Sequence, residues 1–98
     1  MLIHIVCWKY KRETVEDIRE GHRARLRYLP SVIPNIISFD VGADLLHLER
    51  SFDTGLVGVF PDRAAFDHYN DHPMHQAVVA FGKQFAENVV SVDFFQSE

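Results

Sequence analysis

The chain opens on LIHIVCW, residues 2–8, a run in which both alternating sets of positions are apolar. In an extended strand Leu2, His4, Val6 and Trp8 share one face, and Ile3, Ile5 and Cys7 the other. His4 is the single polar exception, so the pattern predicts a strand covered on both sides. The period then changes. Val15, Ile18, His22, Leu26 and Leu29 recur at helical spacing. Thr14 reads as the N-cap of this helix, with Asp17 three residues on. Acidic Glu13, Glu16 and Asp17 at its start and basic Arg23, Arg25 and Arg27 near its end complement the helix dipole and read as a solvated face. Pro30 stops the helix. Alternation returns in IISFDVG, with Ile37, Phe39 and Val41 on one side and Ser38 and Asp40 on the other. A loop, ADLLHLERSFDT, follows and carries Leu45, Leu46 and Leu48; loops of this length often cover a site or pack on a partner. GLVGVF is a third strand. Asp62 caps a second helix, RAAFDHYN, Pro73 opens a third that runs to about Glu87, and VVSVDFFQ is the fourth strand.

The order strand, helix, strand, strand, helices, strand predicts an α+β, ferredoxin-like βαββαβ fold with an antiparallel four-stranded sheet, as one domain over residues 1–98. Helices cover one face of such a sheet. The first strand is apolar on both faces, and the fourth offers Val90, Val92 and Phe94 against Val89 and Phe95. The second face therefore needs a cover that these helices do not supply. A second copy, sheet against sheet, is the simplest one and predicts a homodimer.

Composition narrows the function classes. With 47% hydrophobic and 24% charged residues the chain is an ordinary globular domain. A net charge of −4 offers no basic stripe, so no nucleic-acid partner is expected. One cysteine, Cys7, excludes an intrachain disulfide and suits a reducing compartment. Mid-strand among isoleucines, it is expected to be buried and inert. The opening MLIHIVCW is too short to span a membrane, lacks a basic start and runs straight into KYKR; a cytoplasmic protein is expected.

Candidate chemistry concentrates in DHYNDHPMHQ, residues 67–76. Proline suits the first position of a helix and pushes the residue before it towards an extended conformation, so two helices meet at a corner there. Phe66 and Tyr69 share a face of the second helix. Placed at 100° steps along the third, His75 falls within the apolar arc, with small Gly82 and Ala86 leaving room beside its ring. Tyr69, His75 and His4 are thus all expected to face inwards, where they form either a catalytic cavity or simply satisfied core positions. His68 and His72 lie outward or at the corner, and His72 can help cap the third helix. His68, His72 and His75 have ligand spacing only on a continuous helix, which Pro73 breaks; no cysteine pairs with them and no HExxH is present, so neither metal nor cofactor is expected. Cys7 lies on the strand face opposite His4, which argues against a Cys–His nucleophile pair.

Taken together, HIVCWKYK with its early histidine, VIPNIISFDVG with Asn35 where glycine is common, the His-Pro-x-His signature in HPMHQAVV, and VVSVDF resemble the stress-responsive dimeric α/β-barrel (Dabb) family over nearly the whole chain. The resemblance extends to a plant polyketide cyclase of that family, which makes olivetolic acid. It implies a pocket between helices and sheet worked by an early histidine, a tyrosine and the second histidine of the signature, matched here by His4, Tyr69 and His75. Related folds include haem-degrading monooxygenases, but no haem-ligand motif matches. What the resemblance implies is a small cofactor-free enzyme doing proton transfer beside the carbonyl of a small apolar compound: aldol-type cyclisation, isomerisation or lactone chemistry. His75 would be the general acid/base, within hydrogen-bond reach of Tyr69. Tyr69 would hold His75 or donate to a developing oxyanion, and His4 would orient the carbonyl. The alternative is a non-enzymatic, stress-related homodimer or binding protein in which His4 and His75 satisfy one another in the core.

Overall fold

The computed structural model describes residues 1–97. Strand β1 (Leu2–Tyr10) leads to helix α1 (Glu16–Tyr28), which ends in a 3₁₀ turn at Leu29–Ser31. Strands β2 (Ser38–Ala43) and β3 (Thr54–Phe60), helices α2 (Arg63–Asp71) and α3 (Pro73–Lys83), and strand β4 (Ala86–Phe95) complete the ferredoxin-like fold. The sheet runs β2-β3-β1-β4, every neighbour antiparallel. Its two central strands, β1 and β3, pair residue for residue from Leu2↔Phe60 to Trp8↔Thr54.

Strand parity divides the sheet as the alternation predicts. Leu2, Val6, Leu56 and Phe60 pack beneath the helices against Leu26, Leu29, Ile33, Phe66, Tyr69 and Val78. Phe60 is fully buried, and truncating it to alanine costs about 3–5 kcal/mol. The opposite face carries Ile3, Ile5 and Cys7, flanked by Val59 and Val57 of β3 and by Phe94, Val92 and Val90 of β4. Val57, Val90, Val92 and Phe94 are exposed there, so the β3-β1-β4 part of this face is apolar and uncovered by the described residues, with Ser38 and Asp40 of β2 at its edge. Cys7 is accordingly half-exposed rather than buried.

Two local expectations shift. Thr14 does not cap α1: it is tied back in a tight turn, its N–H donating to the Lys11 carbonyl at 3.0 Å, and Val15 becomes the N-cap without a side-chain bond. The third helix stops at Lys83, and Ala86 already pairs with Tyr10 as β4 begins, because the Lys11 N–H reaches the Phe85 carbonyl at 2.7 Å and pulls the chain into the sheet. Asn35 adopts a left-handed φ of 65°, a conformation that asparagine tolerates better than other non-glycine residues, at a position where glycine would serve equally. Asp62 caps α2 as read from the sequence, accepting from the Ala65 N–H at 2.8 Å. His72 caps α3, its Nδ1 accepting from the Met74 N–H.

Candidate functional site

Helix α3 packs chiefly on α1 and α2, which leaves a gap between it and the edge strand β4. The gap is a cavity of about 250 Å³. His4, Tyr69 and His75 line it together, with Trp8, Leu26 and Leu56 forming apolar wall. Asn70, Val79, Lys83, Val89 and Ser91 line its more exposed side. The volume lies just below the range of drug-sized ligand sites, so the cavity suits a small molecule.

His4 reaches this position by β1 parity, and its ring lies against Phe66 (5.1 Å between centroids) and Tyr69 (6.0 Å). Its Nδ1 is paired with the Asp93 carboxylate. A carboxylate is an acceptor only, so Nδ1 carries a proton and Nε2 is the nitrogen left for the cavity. Asp93 was not singled out from the sequence. The antiparallel register sets it directly opposite His4, although the two are 89 residues apart in the chain. The available signal was the alternation of polar Ser91 and Asp93 with apolar Val90, Val92 and Phe94.

Tyr69 sits on the buried face of α2, 1% exposed, within the aromatic set of Phe39, Phe60, Phe66 and His4. Burial pushes its phenol well above the ordinary range, so the hydroxyl keeps its proton. That hydroxyl has no hydrogen-bond partner among the described residues, and none of their fully buried side-chain oxygens or nitrogens is unpaired. The hydroxyl is therefore not fully enclosed, and Tyr69 lines the cavity.

His75 is half-buried at the start of α3. Tyr69 and His75 meet ring against ring, 4.3 Å between centroids at 39°, rather than through the expected hydrogen bond. The reason lies at the α2–α3 corner. The Asn70 carbonyl, freed where Pro73 breaks the helix, takes up His75 Nδ1 at 3.1 Å. Nδ1 is therefore the protonated nitrogen, and Nε2 is a free lone pair whenever the ring is neutral. Desolvation lowers its pKa, with His4 and His72 adding to the effect and the Asn70 carbonyl opposing it, so the neutral form prevails near pH 7. His4 and His75 are not bonded to one another, as the non-catalytic alternative had supposed; each has its own anchor.

The room anticipated for His75 beside Gly82 is taken by another ring. His22 of α1 points its Nε2 at Gly82, where an added Cβ would lie 2.9 Å away. His22 is 1% exposed and lines the same cavity. Its place on the apolar stripe of α1 had marked it only as a helical core position. Among the described residues no group of three or more His, Cys, Asp or Glu side chains is arranged to hold a metal, and no helix is long and apolar enough to cross a membrane.

The fold is widely shared. A dimeric ferredoxin-like protein of unknown function from Thermobifida fusca is 28% identical and superposes with a TM-score of 0.86 over 95% of this chain and 88% of that one. A dimeric ferredoxin-like protein of unknown function from Jannaschia is 26% identical, with a TM-score of 0.82 over 97% and 98% of the two chains. A hydroxynitrile lyase from Passiflora edulis, 19% identical, shares the fold at a TM-score of 0.88 over 99% and 94%. No curated protein is significantly similar in sequence. The family model of the stress responsive A/B barrel domain matches residues 2–96, and with His4, the His-Pro-x-His corner and the closing strand all within that span, the chain belongs to the Dabb family.

Proposed function

We propose that the chain is a cofactor-free acid/base enzyme acting beside the carbonyl of a small, largely apolar compound, and that it works as a homodimer through its uncovered sheet face. The observation that carries the reading is the convergence on one apolar cavity of a neutral imidazole with a free Nε2, a tyrosine hydroxyl that keeps its proton, and a carboxylate-backed imidazole. In this reading His75 Nε2 removes a proton from carbon or oxygen next to the carbonyl. The Tyr69 hydroxyl donates to the oxygen on which negative charge develops. His4, its Nδ1–H held by Asp93, orients the carbonyl and stabilises charge through the carboxylate behind it. The dimer is supported by the apolar face of β1, β3 and β4 and by the dimeric relatives from T. fusca and Jannaschia. That the same fold houses a hydroxynitrile lyase in P. edulis shows that it accommodates catalysis.

The test is deuterium incorporation next to the carbonyl of small cyclic ketones, diketones and lactones, followed by proton NMR, with thermal shift as the binding readout. Enzyme-dependent exchange that falls by about 10²–10⁴-fold in His75→Ala, in a protein that stays folded, is the expected result. Exchange equal in the wild type and in His75→Ala, with no compound binding in the cavity, would overturn the reading.

A further inference from the structure

The other end of the cavity holds a second polar device, built from β1, α1 and β3. His22 Nδ1 lies 2.7 Å from the Tyr10 hydroxyl, which lies 3.0 Å from Thr54 Oγ1. Arg23 donates to that same Oγ1 from Nη1 at 3.0 Å, and is itself held by Glu16 and Glu20. Tyr10, His22, Arg23 and Thr54 are each no more than 2% exposed. The direction of this chain follows from counting protons. Arginine offers only N–H donors, so Thr54 accepts from Arg23. The Thr54 hydroxyl proton then has one acceptor in the set, the Tyr10 oxygen, and the Tyr10 proton goes on to His22 Nδ1. Running the chain the other way would make Thr54 accept twice and leave its own proton without an acceptor in a buried site, which is costly. The order is therefore Arg23 to Thr54 to Tyr10 to His22, and the proton of the neutral His22 ring sits on Nε2.

Burial, then Arg23 and Arg25, hold this ring to a pKa of about 4, so it is neutral near pH 7. Its Nε2–H has no acceptor among the described residues. As none of their fully buried side-chain nitrogens is unpaired, Nε2 is not fully enclosed: it packs beside Gly82 at the wall of the cavity that His22 lines. The edge of Trp8 (5.1 Å, 82°) and the stacked ring of Phe81 (6.2 Å, 26°) hold the ring in this orientation. The cavity is thus polarised. His4 and His75 spend their Nδ1 protons on protein acceptors, whereas His22 accepts at Nδ1 and presents a proton at Nε2.

We propose that His22 is a ligand-binding residue whose fixed Nε2–H donates a hydrogen bond to a second oxygen of the ligand, so that the cavity selects small compounds with two oxygen functions, one at the His4–Tyr69–His75 end and one at His22. This rests on the acid/base reading of the same cavity and adds to it a specificity determinant at the opposite end. A compound with a single oxygen satisfies only one of the two ends.

The probes are phenol, with one oxygen, and resorcinol, with two in nearly the same outline. Histidine-selective nitrogen labelling and long-range proton–nitrogen NMR near pH 7 read each ring separately. The expected spectrum shows His22 as the Nε2–H tautomer and His75 as the Nδ1–H tautomer, and resorcinol shifts both rings. His22→Phe weakens resorcinol about 10-fold and so removes most of its advantage over phenol, the loss expected for one neutral hydrogen bond. His22→Gln, which keeps an N–H near the position of Nε2, recovers part of the difference. An Nδ1–H tautomer at His22 overturns the inference, even if the His22 variants fail to fold. So does resorcinol that shifts His75 but not His22, a result that leaves the acid/base reading standing. Probes that shift neither ring overturn this inference as well, and the deuterium-exchange assay with His75→Ala then decides the acid/base reading separately.

Discussion

Gly82→Ala measures how tightly His22 is held, and the structure fixes both its sign and its size. An alanine Cβ there would lie 2.9 Å from His22 Nε2, 3.5 Å from Cδ2 and 3.6 Å from Cε1. A flexible side chain would swing away from such a contact. The His22 ring cannot, because Tyr10 holds Nδ1 at 2.7 Å and the rings of Trp8 and Phe81 pack against it. Overpacking of this kind costs about 1–3 kcal/mol. Against it stands the better helix propensity of alanine inside α3, worth about 1 kcal/mol. The net expectation is a loss of about 1 kcal/mol, which for a domain of this size lowers Tm by about 4–8 °C. In a His22→Ala background the obstacle is gone and only the propensity gain remains, so the same change should stabilise by about 1 kcal/mol. The coupling energy between the two positions is then about 2 kcal/mol. The assay is a double-mutant cycle by thermal or urea unfolding at one fixed protomer concentration, because dimerisation makes stability concentration-dependent. A Gly82→Ala change that raises Tm equally in both backgrounds would refute the placement of His22 against α3.

The remaining predictions concern charge, assembly and the His4 anchor. An unfolded imidazole protonates near 6.5 but folded His22 only near 4, so between those values the unfolded chain binds more protons and stability rises with pH. The contribution, about 3 kcal/mol, is complete above about pH 6.5 and lost on the way down to about pH 4; His75, shifted the same way, adds to it. Urea unfolding near pH 4.5 and pH 7 should therefore show a smaller difference in His22→Gln than in the wild type, and an unchanged difference would count against a depressed His22. Asp93→Asn removes the carboxylate acceptor of His4 while keeping its shape and a carbonyl oxygen, and should slow any exchange activity by about 10–100-fold with little change in Tm; unaltered rates would exclude a role for the pair. Ile5→Asp, set between Val57 and Val92 at the middle of the uncovered face, should convert a dimer of twice 11.3 kDa into monomer by sedimentation. Cys7 on the same face should react slowly with a thiol reagent in the wild type and rapidly in that variant, and a wild-type monomer with fast labelling would end the dimer proposal.

Local rules were enough for part of the site. The alternation of LIHIVCW sets the face on which His4 lies, because side chains in a strand can only alternate. Proline at position 73 breaks the helix because its ring cannot continue the backbone hydrogen bonds, and that break makes the corner at which Tyr69 and His75 meet. Asp62 caps its helix through contacts three residues away, within reach of a sequence pattern. The element order and the doubly apolar first strand likewise carry the fold class, because covering strands with helices leaves few arrangements.

The rest depended on register and packing between segments far apart in the chain. Asp93 meets His4 only because β1 and β4 pair in one particular antiparallel register; a shift of one residue would turn Asp93 to the other face. Nothing in the spacing of Glu16, Glu20 and Arg23 distinguishes a solvated face from the anchors of a buried guanidinium. The distinction comes from Thr54, on a strand that folds back beneath α1. His22 reads as an ordinary helical core position, and Gly82 as space for His75, until α1 and α3 pack and bring the His22 ring over the glycine. Periodicity tells which way a side chain points from its own helix or strand, and what it then meets is decided by a second segment whose position no local pattern contains.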